Sequence, residues 1–349
     1  MAGMTNIKDL AAILKVSPST VSKALADSPE ISMETKRRVK EMADCLGYVP
    51  NHYARSLKSK YTKTIGVVVP NVVDDFFGKV LHGIEKEASK HGFTVLITFS
   101  SDKKKQEVRN LASLVNHCVD GILISFSKEA QKTEDYTSIQ RIMNHSLPIV
   151  MFDRVFNDLA LDSVSMNDYQ GASMATEHLL ATGCKKIGFL SSISDTSVGQ
   201  SRKQGYLNAW KEQWGSTNKP TFIEFSNYNN FKQVLSTALN RHGLDGILAA
   251  DELSAIYTLN TARELGFQVP SDLAIIGFTD GPMARSAFPA LSVVSQQAEK
   301  MGSKAFALLR NRMTSSNSKK KKTIITPELL LRGTTKSLIV KDVEREIKH

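Results

Sequence analysis

The stretch Ser17-Pro18-Ser19-Thr20-Val21-Ser22-Lys23 gathers small hydroxyls around one amine. Serine and threonine hydroxyls can meet phosphate oxygens or base edges, and a lysine can reach either. Ser17 is a good helix cap, and Pro18 suits the first turn of the helix that follows. Val21, Ala24 and Leu25 then share one side, leaving Ser19, Thr20, Ser22 and Lys23 to face outward. Two readings fit this short helix. It is a solvated member of a small bundle, or it is built to enter a major groove.

Its neighbours must hold it in place. Thr5 or Asn6 can cap a first helix whose apolar face is Ile7, Leu10, Ala11 and Leu14. A short turn at Lys15-Val16-Ser17 leads into the second helix. A third helix is expected over residues 32–48, with Val39, Met42, Ala43 and Leu46 closing a small core. Pro50 interrupts that pattern. Residues 51–57, Asn-His-Tyr-Ala-Arg-Ser-Leu, could form two helical turns, marginal unless docked on something. Arg55, Lys58 and Lys60 suggest an anionic partner; an ordinary interdomain linker is the other reading.

From residue 64 the pattern changes. Apolar strands such as Thr64–Val69 alternate with amphipathic helices, and the rhythm restarts near Asp162. This predicts two α/β lobes with parallel sheets and a cleft between them. Ligands of such sheets sit beyond the C-terminal strand ends. Residues 315–323, with four consecutive lysines, read as an exposed loop rather than a second nucleic-acid site. Residues 323–335 form a short strand region that could return to the body. The last ten residues are too short for a tetramerising zipper.

The chain of 349 residues has a formal net charge of +10, which permits a polyanionic partner without naming one. Cys45, Cys118 and Cys184 are widely spaced and form neither a disulfide framework nor a metal pattern. No secretory signal and no apolar run of membrane-spanning length is present, so the expected compartment is the cytoplasm. No phosphate-binding glycine loop or nucleophile elbow occurs. Neither an enzyme, a metal nor a cofactor is expected.

Residues 5–57 together resemble the LacI/GalR family of bacterial transcription regulators. Later segments continue the resemblance in order: Ile65–Pro70, Phe152–Arg154, Gly171–Leu190, Ser201–Tyr206, Val269–Asp280 and Pro289–Val294. The resemblance implies a small all-α helix-turn-helix headpiece (1–49), a hinge helix and linker (50–62), a two-lobed α/β effector and dimerisation core like periplasmic sugar-binding proteins (63–335), and a C-terminal tail (336–349). It implies a homodimer on near-palindromic operator DNA, whose affinity is set by a small molecule, by default a sugar. Thr5 and Asn6 fall where the family touches phosphate. Pro18 and Ser19 fall where it chooses bases, and Thr20 and Ser22 where it meets phosphate or groove wall. Lys23 stands where many members have Arg, without the rigid fork of a guanidinium. Tyr48, Asn51, His52 and Ala54 match the segment entering the hinge, Tyr53 and Arg55 beside them are expected DNA contacts, and Leu57 matches the family's minor-groove wedge.

In the cleft, the resemblance points to Phe76, Asp153, Arg154, Arg202, Asp251, Thr279 and Asp280 as effector contacts. Two departures stand out. Ala250 replaces the Asn of the usual Asn-Asp pair, and Thr279 replaces the usual ligand-binding Asp. The alternative function is a cytoplasmic sugar-binding module without autonomous DNA binding, which leaves the headpiece unexplained.

Overall fold

The computed structural model describes residues 6–48, 61–72, 75–143, 147–215, 219–315 and 319–337. The chain divides into two units, residues 1–62 and 63–349.

The first unit holds α1 (Ile7–Leu14), α2 (Pro18–Leu25) and α3 (Met33–Cys45). Each helix begins on a polar side chain that satisfies an otherwise orphaned amide. Asn6 accepts from the amides of Lys8 and Asp9, while Asp9 accepts from the Asn6 amide, closing a capping box. Ser17 caps α2 and Ser32 caps α3. Leu10, Ala11, Leu14, Val21, Ala24, Val39 and Ala43 bury one shared core. Leu46 does not belong to it: it lies past the end of α3 and is 36% exposed. Lys36 is buried, and its amine reaches the Asp27 carboxylate at 3.1 Å and the Asp27 carbonyl at 3.2 Å. That contact ties α3 to the turn after α2.

The second unit opens with β1 (Thr64–Val69), α4 (Asp75–Lys90), β2 (Thr94–Phe99), α5 (Lys104–Asn116) and β3 (Gly121–Ile124). It continues through α6 (Lys128–Lys132), α7 (Thr137–Met143), β4 (Ile149–Phe152) and β5 (Asp162–Met166). Then come α8 (Asp168–Ala181), β6 (Ile187–Ser191), α9 (Ser197–Trp214), β7 (Thr221–Glu224), α10 (Phe231–His242) and β8 (Gly246–Ala249). The rest is α11 (Glu252–Glu264), β9 (Ala274–Phe278), α12 (Pro282–Ser286), β10 (Ser292–Ser295), α13 (Ala298–Thr314), β11 (Lys322–Ile325) and β12 (Glu328–Leu330).

Among the described residues two six-stranded sheets result, ordered β11-β5-β4-β3-β1-β2 and β12-β10-β9-β8-β6-β7. Every pairing is parallel except β10 with β12. The chain crosses between lobes three times: after β5, after β10, and between β11 and β12. The restart near Asp162 is therefore not the lobe boundary. β5 still pairs in the first sheet, while α13 packs on α4 and β11 returns to the first sheet's edge. An apolar strand reads alike in either sheet, so periodicity cannot assign it.

Arg312 fastens the returning helix. Its Nε meets Asp162 Oδ2 at 2.6 Å and its Nη2 meets Oδ1 at 2.9 Å, both side chains being buried. Two glycines set how closely α4 and α13 approach. A Cβ on Gly83 would stand 2.1 Å from the Glu299 carbonyl oxygen, and one on Gly302 would stand 2.0 Å from that of Val80. Backbone cannot yield as a flexible side chain does. Gly302→Ala should therefore destabilise the core by about 1–3 kcal/mol, read as a lower urea midpoint. Lys304→Ala, on the exposed side of the same helix, serves as control; equal midpoints for the two variants would contradict this crossing.

Candidate functional site

The start of α2 is an exposed polar edge of the first unit. Ser17, Pro18 and Ser19 are exposed, and Thr20, Ser22 and Lys23 are half-buried. The Ser17 hydroxyl is committed: it accepts from the Thr20 amide at 3.1 Å and lies 2.9 Å from the Thr20 hydroxyl. Ser19 and Ser22 make no side-chain hydrogen bond among the described residues. Lys23 is paired with Glu30, but both side chains face water, and such pairs contribute little and exchange readily. Asn6 is engaged in its capping box. Thr5, Asn51, His52, Tyr53, Ala54, Arg55 and Leu57 lie outside the described residues.

In the second unit, the chemistry gathers at the C-terminal ends of both sheets. Asp153 follows β4 and Thr279 follows β9, the strands that hold the same place in the two sheet orders. Both take positive φ, 57° and 81°, and both amides donate across to the neighbouring strand, to Val164 and Val294 carbonyls at 3.0 Å. A non-glycine residue there is sparsely populated, a threonine especially so, and such strain collects at functional positions.

Asp153 is buried, and the Ser125 hydroxyl donates to it at 3.3 Å. Burial, opposed by the Arg154 and Arg202 charges and assisted by Asp168, pushes its carboxyl up to about 6. Arg154 donates to Asp102 at 2.6 Å and lies over the Phe77 ring at 5.9 Å. Its Nε is buried without a hydrogen-bond partner among the described residues.

Arg202 is held on all sides. Nε and Nη2 both meet Asp168 Oδ1 at 2.7 Å, Nη1 donates to the Ala250 carbonyl at 2.5 Å, and the guanidinium stacks 4.0 Å from the Phe278 ring centroid. Asp251 caps α11 and receives the Ser254 amide at 2.8 Å and hydroxyl at 2.6 Å, the Ser192 hydroxyl at 3.2 Å and the Tyr228 hydroxyl at 3.3 Å. Thr279 donates to Gln296 Oε1 at 2.5 Å.

Asp280 is not an open carboxylate. Arg285 and Arg332 bind it at 2.6 and 2.5 Å. Burial opposes its ionisation, but the two guanidiniums prevail and hold it below the ordinary carboxylate range. Phe76 is buried edge-on against Phe77, and it lines a cavity of about 570 Å³ together with Lys79, Thr279, Asp280 and Gln296. Asp153, Arg154, Arg202 and Asp251 are not in that cavity's wall.

The lobes also touch directly. Lys128 donates to the Ser192 carbonyl at 2.7 Å, Gln131 and Ser197 exchange two hydrogen bonds at 3.0 and 3.1 Å, and Lys132 meets Asp195 at 3.4 Å.

Residue-by-residue reading of the sequence left out Asp102, Ser125, Asp168, Tyr228 and Gln296. A usable signal existed for four of them. Asp102, Ser125, Asp168 and Gln296 each come within three residues of a strand's C-terminal end, the place where ligands of parallel sheets sit. Tyr228 carries no such mark.

The family model of bacterial regulatory proteins, lacI family, matches residues 6–51, and that of a periplasmic binding protein-like domain matches residues 176–335. The ribose operon repressor of Haemophilus influenzae is 29% identical over 337 residues, covering 96% of this chain and 100% of the relative. The transcriptional repressor PurR of Photobacterium profundum is 28% identical over 337 residues, with 96% and 100% covered. A crystal structure of the lac repressor dimer, bound to operator and the anti-inducer ONPF, has the same fold: TM-score 0.84 over 96% of this chain and 100% of that one, at 19% identity. With both units matched in order, by models and by full-length relatives, the chain joins a DNA-binding domain of the lacI family of bacterial regulatory proteins to a periplasmic binding protein-like core, and it is similar over its length to LacI-family repressors.

Proposed function

We propose that the protein is a cytoplasmic, non-catalytic repressor of carbohydrate-utilisation genes. It binds a near-palindromic operator as a homodimer and releases or grips it according to a neutral hydroxylated effector between its lobes. The observation that carries the DNA reading is the capped start of α2, with Ser17, Pro18 and Ser19 exposed on a small helical unit separate from a ligand-binding type of core. Side chains at the start of the second helix of such a motif reach base edges, and flanking hydroxyls and lysines hold phosphates. Residues 50–62 supply the hinge. The test is selection from a random duplex library by the purified full-length protein. A two-fold symmetric motif is the expected result; no enrichment at low salt, with the protein folded, would sink the DNA reading and leave a ligand-binding module.

The effector class follows from the charges. Arg202, the natural clamp for an anion, is already neutralised by Asp168 and has its fork turned to Asp168 and Ala250. Asp280 is covered by two arginines. Open valence remains at Asp153, at the Arg154 Nε and around Thr279 and Gln296. One acceptor and scattered donors suit hydroxyls better than a phosphate or carboxylate. The name of the Haemophilus relative agrees with a pentose. In calorimetric titrations, neutral pentoses and hexoses should include the binder, with phosphorylated counterparts at least tenfold weaker.

Effector affinity should depend on pH. A hydroxyl that donates to Asp153 prefers the ionised carboxylate, whose pKa stands at about 6. Below that value binding must expel a proton, and affinity should fall by up to about tenfold per pH unit. Above about pH 7 it should be flat. The stability effect has the opposite sense: the folded chain holds this proton better than the unfolded one, so this group's contribution is lost as pH rises from about 4 to about 6. Asp153→Asn should abolish the pH step in affinity; a step that persists would assign it elsewhere.

A further inference from the structure

We propose that the lysine run Lys319–Lys322 is a second DNA-contacting surface, which grips phosphates of the duplex flanking the operator. The inference rests on the reading of the headpiece as the DNA-binding unit.

A solvated loop would expose lysines on slack backbone. Here the backbone is fastened. The Lys319 carbonyl accepts from Arg312 at 3.2 Å, the Lys321 amide donates to Asp162 at 2.7 Å, and the Lys321 carbonyl accepts from the Ser163 amide at 3.0 Å. Lys322 then begins β11, paired with β5. All four side chains are exposed, and none pairs with an acid among the described residues. Asp162, the acid beneath them, is already neutralised by Arg312.

The run also sits at a telling place. Lys319–Lys321 lead directly into β11, and the Lys321 amide is held by Asp162, the first residue of β5. The strands of this sheet are parallel, so the run lies at their N-terminal ends, the end at which the chain enters the core through β1, four strands across. Exposed Lys63 and half-buried Arg310, at the ends of their own elements, add positive charge to the same end. Asp120 there is spent on the Lys63 amide.

A row of unpaired point charges on an anchored edge, with no aromatic or forked partner, suits a regular polyanion and reads no sequence. The headpiece is covalently joined to the core through β1 at this end, and duplex bound by the headpiece is the polyanion proposed.

The test compares full-length wild type with a variant carrying glutamine at residues 319–322, on two duplexes. One is the bare operator; the other extends it by about one and a half helical turns on each side. Affinity is followed against salt, where each lost phosphate contact lowers the log–log slope by about 0.9. Wild type should show a steeper slope on the long duplex. The variant should lose about one to three units of that slope and several-fold or more affinity at low salt, on the long duplex only. A companion variant with four arginines should keep the slope. Equal slopes for wild type and the glutamine variant, or equal weakening on both duplexes, would overturn the proposal. Failure of wild type to bind either duplex would instead remove the headpiece reading itself.

Discussion

Arg202→Met should lower the stability of the core by about 3–5 kcal/mol and take effector binding with it. The reason lies in what stays behind. Asp168 is buried, and Arg202 supplies the two short hydrogen bonds to its Oδ1. Burial already pushes that carboxyl upward, and Arg202 is what pulls it back. Without the guanidinium, an uncompensated carboxylate remains in the interior, the Ala250 carbonyl loses its donor and the Phe278 ring loses the cation over its face. Replacing both partners removes the charge rather than stranding it. The double variant Arg202→Met, Asp168→Leu should therefore recover most of the lost urea midpoint. Equal midpoints for the single and double variants would show that the pair is not what holds this wall.

Leu10→Ala should cost about 2–5 kcal/mol, but in a different place. Leu10 is fully buried in a small core that holds seven buried residues among those described. A unit of this size has a stability of only a few kcal/mol to lose. The headpiece should be largely unfolded at 25 °C, with operator affinity down by a factor of 100 or more. The second unit has its own core and should keep its effector affinity and melting transition. Circular dichroism of the isolated first transition, beside a duplex titration, checks both halves. Retained operator binding would mean the three-helix core is more tolerant than its packing implies.

Local chemistry was legible in the sequence. Ser17 before Pro18, and Asn6 three residues before Asp9, are helix starts in the order of the letters, and the structure has helices beginning there. The strand rhythm gave two lobes for the same reason: burial on both faces leaves a continuous apolar run. What could not be read were partnerships across long separations. Arg202 finds Asp168 across 34 residues, Asp280 finds Arg332 across 52, and Arg312 finds Asp162 across 150. Nothing in either partner's neighbours points to the other. The role of α13 was hidden likewise: its apolar face would serve either lobe, and only the close approach at Gly83 and Gly302 shows which one it covers.

The triple crossing between lobes also has a consequence in time. The first lobe starts at Thr64, yet its covering helix ends at Thr314 and its edge strand at Ile325. At about 5–20 residues per second of synthesis, the opening strands must wait roughly 13 to 50 seconds for these pieces. During that wait, the face of β3, β4 and α4 that α13 will cover is open to water and to other nascent chains. The second lobe, apart from β12 and the segment from Arg332 to Thr335 that bonds to Ile275 and Ser292, is complete by residue 295. The lobe begun second therefore has the bulk of its sheet first, and the protein's vulnerability to chaperone capture or aggregation lies in its N-terminal half until the last α13 turn is made.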